Sequence, residues 1–149
     1  MTKDVIIKIS GTQFAPGVEP ENIEVISKGT YYLKDGKHYI LYDEVYEQGD
    51  EVTKSRIKIN GNQVNIQKRG VTSLDMQFEK NKKNISCFGT PFGQMMIGVE
   101  ANDIKIQQSD QKIEAEIAYA MDMNYEYLAD HKIHILIQSQ DTGEFRING

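Results

Sequence analysis

The stretch KIEAEIAYAMDM, residues 112–123, decides the fold class because its side chains alternate in period two. Every second residue from Ile113 to Met123 is apolar. The charged residues of the stretch all fall on the opposite face: Lys112, Glu114, Glu116 and Asp122. Successive side chains of a β-strand point to opposite faces, whereas a helix repeats every 3.6 residues, so the pattern predicts a long, half-buried strand.

The same alternation recurs along the chain and predicts about ten strands. The predicted strands lie near Val5–Gly11, Ile23–Leu33, His38–Tyr46, Val52–Ile59, Gln63–Gln67, Met76–Glu79, Lys83–Phe88, Gln94–Glu100, Asp103–Gln107, Lys112–Met123 and Lys132–Ser139.

Turn-forming residues separate these strands. Asp35-Gly36 and Asn60-Gly61 each predict a two-residue hairpin, because both central positions of a type I′ turn need positive φ. Asn102-Asp103 and Ser109-Asp110 are weaker turn signals. Two longer connections are predicted, at Gly11–Glu21, which contains two prolines, and at Asn124–Asp130.

The sheet is predicted to close on itself because the sequence pattern contains no helix that could cover it. No segment shows a helical apolar stripe long enough to cover a sheet, so an open sheet would leave two exposed edges. We therefore predict an all-β fold: a single antiparallel up-and-down β-barrel, with a β-sandwich as the alternative that fits the same pattern. The barrel domain is expected to span residues 1–139, and residues 140–149 to form a frayed tail.

Composition narrows the classes of partner and compartment. A single cysteine, Cys87, excludes an intrachain disulfide and favours a reducing, cytoplasmic setting. The apolar run Val5–Ile9 is too short for a signal peptide or a membrane span. A net charge of −5 and a pI of about 5.2 argue against general affinity for nucleic acid or anionic lipid. Neither nucleic acid nor membrane is expected as a partner.

Several short motifs occur in a fixed order between Val5 and Ser139. They are Gly29-Thr30-Tyr31-Tyr32, Tyr42-Asp43-Glu44, Thr53-Lys54, Lys68-Arg69-Gly70, Met76 with Phe78, Thr90-Pro91-Phe92-Gly93 and Tyr119-Ala120-Met121. Together they resemble the YwiB-like family of small bacterial proteins. The resemblance implies a calycin-type, lipocalin-like barrel of unknown function and carries over no catalytic residue.

The candidate binding residues are selected by counting residue pairs outward from each predicted hairpin turn. Around Asp35-Gly36 this count pairs Tyr31 with Ile40, Gly29 with Tyr42 and Ser27 with Glu44, all on one face. Around Asn60-Gly61 it pairs Ile57 with Val64 and Ser55 with Ile66. If the first face is the barrel interior, Glu44 needs a partner, and Lys68 or Arg69 is expected to turn inward to meet it or an anionic ligand. The alternatives are a solvent-facing Glu44 and a surface ion pair. The predicted ligand-binding residues are Tyr31, Tyr42, Glu44, Lys68, Arg69 and Tyr119.

Other chemistry-bearing residues have simpler interpretations. Cys87 is predicted to be a buried packing thiol, and His131 and His134, three residues apart on a strand, would face opposite ways, so neither a metal nor a cofactor is expected. The outward stripe of Lys54, Arg56 and Lys58 contains no aromatic ring for base stacking, which favours a solvated sheet face.

Three functional hypotheses remain. The first, by fold-level analogy, is a barrel that binds a small apolar or amphipathic ligand in its interior. The second is a non-catalytic protein–protein interaction module that uses a barrel face or edge, which includes a homodimer. The third is an enzyme that uses Glu44 with a basic partner as acid and base, and we expect a binding protein rather than an enzyme.

Overall fold

The computed structural model describes residues 1–14, 21–45, 52–70 and 73–140, which form ten β-strands. The strands are β1 (Asp4–Phe14), β2 (Glu21–Lys34), β3 (Lys37–Val45), β4 (Val52–Asn60), β5 (Gln63–Arg69), β6 (Ser73–Phe78), β7 (Lys83–Thr90), β8 (Gly93–Gln108), β9 (Lys112–Met123) and β10 (Glu126–Ser139). Each pairs antiparallel with its neighbours in sequence.

The sheet closes through β1 and β10, which pair from Val5–Ser139 to Phe14–Asp130. The predicted antiparallel up-and-down barrel is therefore confirmed, and the sandwich alternative is wrong. The seam between β6 and β7 is the weakest described junction, with Ser73 and Gly89 as its paired residues. There the Asn84 side chain donates a 2.9 Å hydrogen bond to the backbone oxygen of Gln77, which helps to hold the two strands together.

The Asp35-Gly36 hairpin has the predicted geometry. Both turn residues have positive φ, and Tyr31 lies opposite Ile40 as expected. The ladder ends at Gly29–Tyr42, two pairs short of the predicted Ser27–Glu44.

The second predicted hairpin is shifted. Its turn residues are Gly61 and Asn62, so Ile57 pairs with Ile66 rather than with Val64. Gly61 supplies the positive φ at the first turn position, as glycine does in a type II′ turn. The register moves by two residues, which leaves every side chain on the face that was predicted.

One predicted break in the strands is wrong, and two predicted connections are shorter than expected. β8 runs through the predicted turn at Asn102-Asp103, because a β-bulge between Ala101 and Asp103 absorbs the extra residue. The predicted connection 124–130 is a two-residue turn, Asn124-Tyr125, with both residues at positive φ. β1 extends to Phe14, beyond the predicted loop start at Gly11, and residues 15–20 lie outside the described residues.

Branched aliphatic side chains fill the middle of the barrel. On β9, Ile113, Ala115 and Ile117 are at most 1% exposed, as the alternation predicts. Phe78 of β6 reaches across to Tyr119, with ring centroids 4.7 Å apart. Space for a ligand must therefore lie toward an end of the barrel rather than at its centre.

Backbone hydrogen bonds hold the chain through its last described residue. Gln140 N donates to Asp4 O at 3.0 Å, and residues 141–149 of the predicted tail lie outside the described residues. Within the described ranges there is no helix with the length and apolar character needed to cross a membrane.

Candidate functional site

A pocket of about 240 Å³ opens at the end of the barrel where β1 finishes and β10 begins. We call it the mouth pocket. Its apolar wall consists of Ile9, Ile23, Val25 and Ile133. Its polar lining comes from Thr12, Glu44, Lys68, Tyr119, His131 and Lys132. Ile23 is 64% exposed, so the pocket is accessible from solvent.

Glu44 and Lys68 form an ion pair inside the mouth pocket. Glu44 on β3 lies opposite Thr53 of β4, and Lys68 on β5 lies opposite Ser55, so both side chains share the inward face. Lys68 Nζ is 2.9 Å from Glu44 Oε1, and Ser55 Oγ donates to the same oxygen at 3.4 Å. The side chains of Lys68 and Glu44 are only 29% and 11% exposed. Because each charge is largely removed from water, each depends on its partner.

Tyr119 and His131 form the aromatic side of the mouth pocket. They are directly opposed on β9 and β10, and their rings stack with centroids 5.1 Å apart and planes 9° from parallel. Burial raises the pKa of Tyr119, so its hydroxyl stays protonated at neutral pH. Burial lowers the pKa of His131, and the nearby Asp130 charge opposes that shift. His131 is therefore held toward its neutral form.

One polar atom of the mouth pocket has no partner among the described residues. His131 Nε2 is buried and makes no hydrogen bond there. A buried ring nitrogen without a hydrogen bond is unfavourable, so a bound molecule that supplied a donor or an acceptor would gain stability at this atom.

The structure brings three of the six predicted residues into the pocket: Glu44, Lys68 and Tyr119. The predicted inward orientation of Glu44 and its contact with Lys68 are confirmed. The expectation that Arg69 could turn inward is wrong. Arg69 is exposed and lies opposite Lys54 on the outer face, as period-two alternation after an inward Lys68 requires.

The two remaining predicted residues lie elsewhere on the inward face. Tyr42 is 4% exposed and packs in the core, while Tyr31 shares a 2.7 Å hydrogen bond with His38 Nδ1 near the Asp35-Gly36 hairpin. Tyr31 pairs with Ile40, which is four residues, or about 13 Å along the strand, from Glu44. The predicted placement of Tyr31 beside Glu44 is therefore wrong.

Sequence reasoning missed His131 as a site residue. It considered His131 only with His134 as a metal pair and began the last strand at Lys132. The signal was present, because His131 continues the inward alternation of Ile133 and Ile135.

Cys87 differs from its prediction as well. It is exposed on the outer side of β7 with its Sγ 3.5 Å from Met96 Sδ, so the predicted buried thiol is wrong. Across the described ranges, no group of three or more His, Cys, Asp or Glu side chains could hold a metal ion. The chemistry that the mouth pocket offers is an ion pair, a stacked imidazole and an aliphatic wall.

Comparison with known proteins agrees with this architecture. The Uncharacterized beta-barrel protein YwiB of Bacillus subtilis (strain 168) is 25% identical over 115 residues, which cover 77% of this chain and 76% of that protein. The crystal structure of ywiB protein from Bacillus subtilis matches with a TM-score of 0.79 at 23% identity, over 92% of both chains. That likeness shows the fold, and the resemblance to the YwiB-like family is confirmed. Because the model of the family Domain of unknown function (DUF1934) matches residues 7–135, most of the chain, the protein belongs to the DUF1934 family.

Proposed function

We propose that this protein, acting in the cytoplasm, binds a small amphipathic molecule in the mouth pocket. The observation that carries the proposal is the half-buried Glu44–Lys68 pair at 2.9 Å beside an aliphatic wall. Ligand sites typically combine an apolar lining with a few convergent polar groups, and the mouth pocket has this composition. The ligand's apolar part would lie against Ile9 and Ile133, and its polar head at the ion pair.

The size of the mouth pocket points to a small metabolite. Its volume of about 240 Å³ is below the range of roughly 300–1,000 Å³ of drug-sized ligand pockets. Core side chains occupy the space farther inside, so a long chain could not extend down the barrel. A compact molecule with one apolar portion fits best.

The charge balance favours a neutral or zwitterionic head. Glu44 and Lys68 already neutralise each other, and Lys132 in the pocket lining is neutralised by Glu116 at 2.7 Å. A singly charged head would therefore add a net charge to a largely desolvated site. A zwitterion could bring a carboxylate to the Lys68 ammonium and an ammonium to the Glu44 carboxylate without that cost. Lys68 has three donors and Glu44 two acceptor oxygens, so both can keep each other while bonding the ligand.

The alternative is a protein–protein interaction module. It is supported by large exposed side chains on the β7–β8 and β9–β10 hairpins, at the same end of the barrel as the mouth pocket. Phe92 is 100% exposed and Tyr125 is 73% exposed. Because β1 pairs with β10, such a module would use this rim or a barrel face rather than an open strand edge at β1. The partner would be another protein or a second copy of this chain.

Native mass spectrometry of the purified protein tests the proposal. We expect an additional mass that is lost on denaturation, and a weaker adduct in Glu44→Gln and Lys68→Met. Asp43→Asn and Lys54→Met are matched controls, because these residues form an ion pair on the outer face of the same strands. The proposal is wrong if the wild type carries no adduct and binds no member of an amphipathic metabolite panel. It is also wrong if the control variants lose the adduct equally.

A further inference from the structure

The outer surface of β2 to β5 carries most of the unbalanced positive charge of the chain. Strands β2 to β5 contain eight Lys or Arg and four Asp or Glu, a net charge of +4 in a chain of −5. The rest of the chain therefore carries −9. Within these strands Lys68 and Glu44 point into the barrel and cancel, so they do not reduce the positive charge of the outer surface. We call this surface the outer basic face and define it by Tyr32, Tyr39, Lys54, Arg56, Lys58 and Asn65.

The cations of the outer basic face are largely free to meet an external anion. Among the described residues, Arg56 and Lys58 have no carboxylate at ion-pair distance. Arg56 donates to Asn65 Oδ1 at 3.2 Å, and its Nε, which is buried, makes no hydrogen bond within the described part of the chain, so an external anion would meet the outer end of the guanidinium group. Lys54 contacts Asp43, yet the Lys54 side chain is 72% exposed, so that pair is weak.

An aromatic column crosses the same face. Tyr32 of β2 and Tyr39 of β3 are directly opposed, with ring centroids 4.9 Å apart and planes 5° from parallel. Lys58 of β4 is opposite Tyr39, and its Nζ lies 5.8 Å from the centroid of that ring. Tyr32 stands at the other end of the column and is 40% exposed. The column thus runs from the Lys58 ammonium group on β4 to an accessible aromatic ring on β2.

We propose that the outer basic face binds single-stranded nucleic acid. A base would continue the column by stacking on Tyr32, and the phosphates would meet Arg56, Lys58 and Lys54. Aromatic rings interleaved with cations on a sheet surface are how proteins bind single strands without sequence preference. An anionic membrane would need the charges but would make no use of a parallel tyrosine stack.

This inference revises the expectation that nucleic acid is not a partner. That expectation depended on the net charge of −5 and on the lack of aromatic rings in the β4 stripe. The positive charge is concentrated on the outer basic face, while the rest of the chain is negative. The β3–β4 register places Tyr39 directly beside Lys58. The outer basic face lies on the opposite side of the sheet from the mouth pocket, so this proposal does not depend on the proposed function.

Fluorescence anisotropy with labelled single strands of oligo(dT) and oligo(rU), each about 12 nucleotides long, tests the inference, since OB-fold sites take about 4–16 nucleotides. If about four phosphates are engaged, the slope of log K against log salt is about −3, and affinity falls about fifty-fold between about 50 and 200 mM salt. Tyr32→Ala should weaken binding about fivefold to a hundredfold, as loss of one stacked base does, whereas Tyr32→Phe should bind as the wild type. Lys58→Gln should reduce the salt slope by about 0.7.

Matched controls lie away from the face. Tyr127→Ala and Lys105→Gln change an exposed tyrosine and an exposed lysine elsewhere and should leave binding unchanged. Thermal unfolding of each variant separates a folding defect from a binding defect. The inference is overturned if neither oligomer binds at low salt, or if Tyr32→Ala binds as the wild type while only the charge variants weaken. If the protein binds phosphatidylglycerol vesicles as tightly as the oligomers, and Tyr32→Ala keeps that affinity for the vesicles, the face is a membrane-binding surface instead. A wild-type dimer that Lys58→Gln dissociates would identify a self-contact.

Discussion

The Glu44–Lys68 pair should be more strongly coupled than an ion pair on the outside of the same strands. At 2.9 Å and an effective dielectric constant of about 20, Coulomb attraction is about 6 kcal/mol. Desolvation of two charges subtracts several kcal/mol, so we expect a coupling free energy of about 1–3 kcal/mol. The Lys54–Asp43 pair, at 3.1 Å but 72% and 51% exposed, should show about 0–1 kcal/mol.

Two double-mutant cycles measured by urea denaturation provide the assay. One combines Glu44→Gln with Lys68→Met, and the other combines Asp43→Asn with Lys54→Met. Each cycle isolates the pairwise free energy, because effects on other contacts cancel between the single and double variants. If the two coupling energies agree within about 0.5 kcal/mol, the reasoning that burial strengthens the inner pair is refuted.

Three further predictions concern stability. Ile117→Ala should lower the free energy of unfolding by about 2–5 kcal/mol, since Ile117 is fully buried, and a loss below about 0.5 kcal/mol in chemical denaturation would contradict that burial. Gly29→Ala should cost about 1–3 kcal/mol in the same assay, because the new Cβ would lie 2.7 Å from the backbone oxygen of Leu41; an unchanged midpoint would argue against this contact. Burial lowers the pKa of His131, so the unfolded chain takes up that proton at higher pH than the folded protein, and stability falls as pH decreases below about 6.5. Urea midpoints at about pH 7.5 and about pH 5.5 should therefore differ less in His131→Gln than in the wild type, and an equal difference would show that His131 does not contribute.

The faces of the strands could be predicted from the sequence because alternation depends only on which residues are apolar. Alternation predicts a buried Ile117 and puts Glu44 on the same face as Tyr31 and Tyr42. Of the two cations left open, Lys68 is the one that faces inward, and the shifted Gly61 turn does not alter its face, because a slip of two residues preserves it. Alternation does not show how far apart two residues lie along the direction of the strands. Tyr31 therefore shares a face with Glu44 without reaching it.

Two features could not be obtained from local patterns. His131 was missed because Asn124 and Tyr125 make a tight turn with positive φ at both residues, an uncommon conformation for a tyrosine. The sequence there does not show the usual glycine, so the start of β10 was placed too late. The contact between Tyr39 and Lys58 depends on the β3–β4 register, and six residues separate these strands, so no two-residue turn fixes that register.

The same alternation explains how one short sheet segment could support two separate binding surfaces. On β3, Glu44 points into the mouth pocket while its neighbour Asp43 points outward, and on β5 Lys68 and Arg69 divide in the same way. A substitution at one position therefore changes one surface and leaves the other in place. Glu44→Gln should weaken ligand capture without changing the affinity for single strands. Tyr32→Ala should weaken the affinity for single strands without changing ligand capture. If either variant impaired both ligand capture and single-strand binding, the two surfaces would be coupled through the sheet, and the assumption that they act independently would be wrong.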